Sequence, residues 1–410
     1  MQTPKLRFSG FECEWKTKKL HEIGQFKNGI NKSKEDFGHG NSFVNLNDVF
    51  GKTSIKNSNF GLVKVNKKDL VEYNLKKGDV LFIRSSVKPS GVGLTSVVLE
   101  DLIETTFSGF LIRFRDTEIN LDIKFKEFCF STPSFRKKLL AKSTISANTN
   151  INQESLKSLS INIPFKEEQR KIGEFFSLIN KNILLQQEKI ELLKEQKKGY
   201  TQKIFSQEKR FKDKDGLEFP KWSRQKLGNF TERVTRKNSD LKTKRPLTIS
   251  AQHGLIDQVE FFNKTVASQN LTGYYLLQKG EYAYNKSYSN GYPLGAIKRL
   301  NNYENGALST LYICFKTNEN VNSDFLVHYF DSTQWHKEVS LICVEGARNH
   351  GLLNVSVSEF FETLHYLPCL EEQLIIAKFF DSINKQIKLN ELTLKNLQKQ
   401  KKAYMQQMFI

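Results

Sequence analysis

Side chains able to hydrogen-bond base edges or neutralise phosphate recur in the polar loop stretches of this chain. The first half offers Lys32, Lys34, Asn45, Asn47, Arg84, Ser85, Lys88, Asn148 and Asn150. The second offers Gln252, His253, Asn285, Lys286, Tyr288, Arg348, Asn349 and His350. Asn and Gln can address adenine with paired hydrogen bonds and Arg or Lys guanine, while the remaining cations neutralise the sugar-phosphate backbone. For any single one of them, a solvated loop position is the competing reading. Tyr274, Tyr275, Tyr282, Tyr284 and Tyr292 are expected to face a sheet core rather than to stack on bases.

Residues for catalysis do not assemble in the sequence. Gly51-Lys52-Thr53 imitates the end of a phosphate-binding loop, but Leu46 stands where that motif needs its first glycine. Gly91-Val92-Gly93 lacks the third glycine of a dinucleotide fingerprint, and no N-P-P-Y or D-P-P-Y amino-methylation tetrapeptide occurs. Asp122-Ile123-Lys124 and Glu195-Gln196-Lys197 have a nuclease-like acid-x-Lys spacing, which is common in a Lys-rich chain. The seven histidines form no metalloprotease or deaminase signature. Cys13, Cys129, Cys314, Cys343 and Cys369 are odd in number and never spaced as C-x-x-C, so buried reduced thiols are expected, with neither a disulfide framework nor a metal site. The chain is therefore read as non-catalytic, with no cofactor of its own.

Composition agrees with a polyanionic partner. Lys plus Arg number 63 against 44 Asp plus Glu, a net charge of +19, and the pI is about 9.5. No run of about 18 apolar residues is present, which argues against a spanning helix and a membrane partner. The opening MQTPKLRFSGF lacks the layout of a signal peptide, so a cytoplasmic location is expected.

An internal repeat organises these residues. Pro164-Phe165-Lys166-Glu167-Glu168-Gln169 recurs as Pro368-Cys369-Leu370-Glu371-Glu372-Gln373, and the two copies then run without a gap to Phe205 and Phe409. More loosely, Trp15 and Leu20 match Trp222 and Leu227, Arg7-Phe8 matches Arg210-Phe211, and the run Lys77 to Ser85 matches Lys279 to Ser287. The boundaries that follow are 1–163 and 209–367 for two globular domains, and 164–208 and 368–410 for two long segments.

Each long segment carries a heptad stripe, and the stripes predict helices that pair as a coiled coil. The first runs through Ile172, Phe176, Ile179, Ile183, Ile190 and Leu193, the second through Ile376, Phe380, Ile383, Ile387, Leu394 and Leu397. The Pro-x-x-Glu-Glu-Gln openings fit helix starts, where the dipole favours acidic side chains. About 40 residues at 1.5 Å each make a rod on the order of 60 Å. Phe175, Leu184, Leu185 and Leu192 fall outside the seam, so a further helical partner is expected to cover them.

Both globular regions read as strand-rich α+β structure. Strands are expected at Val80 to Ile83, Ser96 to Leu99, Phe110 to Phe114, Tyr282 to Tyr284 and Leu311 to Phe315. Helices are expected near Lys124 to Phe130, Ser134 to Lys142 and Asp324 to Glu338. Outside the framework the two regions share little sequence, as two readers of different targets would; drift on a duplicated scaffold is the alternative.

Tandem domains that open with W-x-x-x-x-L, contain the K-G-D-V-L-F-I-R-S run and end in a P-x-x-E-E-Q helix resemble the specificity subunits of type I restriction-modification systems. The resemblance spans essentially the whole chain. It implies two target-recognition domains reading the halves of a split, asymmetric double-stranded DNA site, with the two helices packed antiparallel to set the spacer. It also implies two methylation subunits that use S-adenosylmethionine and two motor-nuclease subunits that use ATP and magnesium. The docking role it carries over falls on Pro164, Glu167, Glu168 and Gln169, with their equivalents Pro368, Glu371, Glu372 and Gln373. A stand-alone DNA-binding regulator that dimerises through its coiled coil is the rival reading, and a restriction enzyme with an unrecognised active site a third.

Overall fold

The computed structural model describes residues 3–263, 270–288, 291–343 and 353–410. It resolves into two compact units, Met1–Glu188 with Glu391–Ile410, and Lys189–Asn390. Each unit thus holds one globular domain, the beginning of the long helix that follows that domain, and the end of the other long helix.

In unit 1 the central antiparallel sheet has the spatial order Gly24–Asn28, Leu111–Asp116, Val80–Ile83, Thr95–Val98, with Ser54–Ile55 added in parallel at one edge. Val80–Ile83 is buried on both faces, which explains its uninterrupted apolar sequence. Unit 2 repeats the order as Thr231–Arg233, Ile313–Thr317, Tyr282–Asn285, Ala296–Arg299. Two helices cover one face in each unit: Ile123–Cys129 and Pro133–Ala141, and Ser323–Asp331 and Gln334–Ile342. The single helix expected over Asp324 to Glu338 is in fact this second pair. It breaks at Ser332, whose hydroxyl donates to Tyr329 O at 2.6 Å.

A small ribbon closes each domain just before its long helix. Lys16–Lys19 pairs with Ser160–Ile163, and Ser223–Lys226 with Leu364–Leu367. Around this shared frame the accessory strands differ. Unit 1 adds a three-stranded sheet of Phe37–Val44, Gly61–Val63 and Thr106–Phe107, whereas unit 2 adds the ribbons Leu247–Ser250 with Gly254–Asp257 and Tyr275–Gln278 with Asn305–Leu308.

The long helices span Lys166–Phe205 and Leu370–Gln407. Within unit 1 the start of the first helix meets the end of the second, with Phe175 5.1 Å from Tyr404 and Phe176 5.7 Å from Phe409 between ring centroids. Within unit 2 the roles exchange, with Tyr200 5.1 Å from Phe379 and Phe205 stacked on Phe380 at 5.8 Å. Start meeting end in both units is what an antiparallel pair requires. None of the twelve predicted seam residues is exposed.

Three expectations need correction. Phe175 is not an uncovered flank, because Phe8 packs against it edge-on at 5.8 Å from one side and Tyr404 from the other. Cys13 and Cys369 are exposed, not buried, because both fall in the loops that border the ribbons; Cys129 and Cys314 do lie in the cores. Tyr282 and Tyr284 are core residues as expected, while Tyr275 and Tyr292 are only partly covered.

Candidate nucleic-acid interface and helix joints

The strand Val80–Ile83 delivers its exit loop to one site. Arg84 is fixed by its backbone, its N–H donating to Phe110 O at 2.8 Å and its carbonyl accepting from Ile151 N at 3.0 Å. Its Nη1 reaches Gly109 O at 3.4 Å. Next to it Ser85–Ser86 pairs with Thr149–Asn150, which pairs in turn with Thr144–Ile145. The fold therefore brings Arg84, Ser85 and Lys88 together with Asn148 and Asn150, although about 60 residues separate the two groups in sequence. Val87, Phe110 and Ile145 stand exposed among them, an apolar complement that could meet thymine methyl groups. The sequence reading passed over these three.

The other first-half candidates are more committed. Ile30 N donates to Phe107 O and Gly109 N to Ile30 O, so the loop with Lys32 and Lys34 hangs beside the same Phe107–Phe110 segment. Lys32, however, pairs with Asp69 at 3.0 Å. Asn45 accepts from Leu46 N at 2.8 Å as the cap of a short helix, and Asn150 donates to Asn148 O at 3.0 Å. Lys34, Asn47, Lys88 and Asn148 keep exposed side chains.

In unit 2 the equivalent exit loop carries Asn285 and Lys286. The carbonyl of Lys286 accepts from Leu353 N at 2.8 Å, as that of Arg84 accepts from Ile151, but its ammonium is spent on Val355 O at 3.2 Å. Asn285 accepts from Ser287 N at 3.0 Å. Tyr288 is 60% exposed beyond them. Gln252 and His253 form the exposed turn of the Leu247–Ser250 ribbon, with the His253 ring 6.2 Å from Phe261. Arg348, Asn349 and His350 lie outside the described residues.

The Pro-x-x-Glu-Glu-Gln motif does something the sequence reading did not foresee. Only Glu167 and Glu371 of its acidic and amide side chains are exposed; Glu168, Gln169, Glu372 and Gln373 are buried, as are Pro164 and Pro368. Glu168 accepts two bonds from the Arg7 guanidinium at 2.7 and 2.8 Å. Glu372 accepts from Arg210 at 3.2 and 2.6 Å and from Trp222 Nε1 at 3.0 Å. Both guanidinium pKa values rise because the bond to the carboxylate favours the charged form. Gln169 donates to Pro164 O and Asn120 O and accepts from Asp122 N at 2.7 Å. Gln373 likewise donates to Pro368 O and accepts from Asn322 N at 2.7 Å. Asp122 and Asn322 in turn cap the helices Ile123–Cys129 and Ser323–Asp331. The motif is thus a joint that welds each long helix to its own domain. The matched pairs Arg7-Phe8 and Arg210-Phe211 were the sequence signal for it.

Among the described residues no group of three or more His, Cys, Asp or Glu could hold a metal ion, and no helix is long and apolar enough to cross a membrane. Residues 12–195 match the family described as type I restriction modification DNA specificity domain. The match lies within the first half of this chain. That is the family the repeat and the helix-start motif resemble. Solved structures share the fold across both halves. An S subunit of the type I restriction-modification system from M. genitalium superposes with a TM-score of 0.54 at 16% identity, covering 100% of this chain and 99% of that one. A chain from a structure described as the basis of complex assembly and conformational transition of the type I R-M system gives 0.58 at 13% identity, with 96% and 97% covered.

Proposed function

We propose that this chain is the specificity subunit of a type I restriction-modification complex, in which each unit reads one half of a split DNA site. The observation that carries the reading is the same sheet and helix joint built twice, each time with a different set of polar loops at the exit of the central strand. The specificity-domain match supports the DNA-recognition half of it. The reaction is delegated to partners: two methylation subunits with S-adenosylmethionine, and two motor-nuclease subunits with ATP and magnesium.

Docking falls on the outer faces of the long helices. Leu178, Leu184, Leu185, Leu192, Leu389 and Leu392 are 52–62% exposed, apolar side chains that a helical partner would cover. In this reading Pro164, Glu168, Gln169 and their equivalents support docking by holding the helix starts in place, while Glu167 and Glu371 can be touched directly. The helices set the spacer, so one added heptad in each changes the number of unread base pairs.

Co-expression with an adenine-methylating subunit, followed by methylome sequencing, tests the proposal. The expected result is methylation at one asymmetric, split motif. L184D/L185D is expected to abolish co-purification with the methylation subunit while leaving the chain folded. Tight site-specific binding by the purified chain as a dimer would favour the regulator reading, and cleavage of DNA by that chain with magnesium would overturn the non-catalytic one.

A further inference from the structure

We infer that unit 2 grips the sugar-phosphate backbone of duplex DNA in a basic cleft beside its candidate base-reading turn; the inference rests on the DNA-recognition reading above. The cleft, of about 620 Å³, runs between the last turns of the first long helix and the domain segments around Lys298 and Trp335. Four ammonium groups line it, those of Lys194, Lys197, Lys198 and Lys298, against the single carboxylate of Asp331, a lining charge of 4 − 1 = +3.

The arrangement is built rather than incidental. Asp331 accepts from Lys298 at 2.6 Å and lies 4.0 Å from Lys197, so one carboxylate steers two cations on opposite walls without neutralising both. Lys298 sits on the sheet strand Ala296–Arg299, and the other three on a continuous helix, so the charges are held by rigid elements. Lys194 also pairs with Glu191 at 3.3 Å, whereas Lys198 is exposed. Lys194 and Lys198 are one helical turn apart, about 6 Å, a separation that lets each meet a different phosphate of one strand. Gln252, at the tip of the Leu247–Ser250 ribbon, lines the same cleft. Backbone grip and base reading therefore adjoin, and phosphate contacts set the register in which base edges are read.

Unit 1 uses the matching positions differently. Lys401, the counterpart of Lys197, places its ammonium 6.0 Å from the Phe128 ring centroid, and burial lowers its pKa. Arg136, at the place of His336, donates to Val92 O at 2.6 Å and Ser90 O at 3.0 Å. The grip belongs to unit 2 alone.

The test uses the full chain co-purified with its methylation subunit and titrated with two duplexes, one carrying the methylome-defined site and one scrambled, across a range of salt. K198A is expected to weaken binding to both duplexes about three- to tenfold and to make the log K against log salt slope shallower by about 1, with K194A/K198A doing more. K402A, at the exposed counterpart of Lys198 in unit 1, should change neither. An unmoved slope in K198A and K194A/K198A would overturn the inference. So would a loss confined to the specific duplex, or inorganic triphosphate binding that K198A abolishes while duplex affinity stays put. If the unmodified complex shows no preference for the methylated site, the specificity reading falls and takes this one with it; if it shows that preference and the variants match it, only the cleft is lost.

Discussion

Asp79 in unit 1 takes two guanidinium bonds, at 2.7 and 2.6 Å, from Arg115 on the neighbouring sheet strand. Its counterpart in unit 2, Glu281, takes them at 2.9 and 2.7 Å from Arg236, which lies in the loop after the edge strand. The turn both acids serve is the same. Gly78 and Gly280 sit at φ +87° and +89°, and their N–H groups donate at 2.8 Å to Val98 O and Leu300 O. Duplication has kept the requirement, a buried carboxylate that must have a cation, and has let the residue that meets it change. The Arg7–Glu168 and Arg210–Glu372 joints were kept residue for residue, and they are the contacts on which the placing of each long helix depends.

The joints give the largest way to sharpen that comparison. Arg7→Ala strands the buried Glu168 carboxylate and should cost about 3–5 kcal/mol, read from urea unfolding. Arg210→Ala should cost about 1 kcal/mol less, because Trp222 Nε1 still donates to Glu372 whereas the Trp15 indole N–H has no partner among the described residues. Equal losses would mean that the indole bond contributes nothing.

Acid should separate the units next. His328, His336 and His365 of unit 2 all have pKa values lowered by burial, His365 to about 4, while His21 and His39 of unit 1 are exposed. Unfolded histidine binds its proton near pH 6.5, so between there and about 4 the unfolded chain holds more protons and unit 2 loses stability as the pH falls, by up to about 3 kcal/mol from His365. Amide-exchange protection over 325–342 should drop across that window while that over 111–129 holds.

A reciprocal exchange tests the helix approach. An added Cβ at Gly173 would lie 2.6 Å from Lys124 Cβ and 2.7 Å from its carbonyl carbon, whereas repeat 2 has the buried Ala377 at this position. Gly173→Ala should therefore destabilise unit 1 by about 1–3 kcal/mol through overpacking, and Ala377→Gly should cost unit 2 about 1 kcal/mol through helix propensity. The smallest effect is expected at the shared turn, where Gly78→Ala and Gly280→Ala should each cost about 1 kcal/mol from the left-handed backbone alone. A clear difference between those two would show that the ammonium of Lys126, 3.5 Å from the added methyl at Gly78, constrains that turn further.

The frame was legible because it is repetitive and local. Heptad stripes, the matched Trp and Lys-Gly-acid positions and the uninterrupted apolar strand report periodicity or a turn that neighbouring residues impose by themselves. The interface was legible only as residue types. Asn, Lys and Arg in a loop look the same whether they are exposed, as Lys34, Lys88 and Asn148 are, or spent on a cap, an acid or a carbonyl, as Asn45, Lys32 and Lys286 are.

By itself, then, the sequence determined two copies of a strand-rich domain, two long helices and a strongly cationic surface, since each follows from repeat, period or net charge. Tertiary structure decided that the buried acids of the helix-start motif face inward to Arg7 and Arg210, its amides to Asp122 and Asn322, and that Arg84 meets Ile151. It also decided that three lysines of one helix share a cleft with Lys298, far along the chain. Those outcomes depend on which distant segments the sheet and the helices bring within hydrogen-bonding reach, a matter of three-dimensional closure that no local pattern encodes.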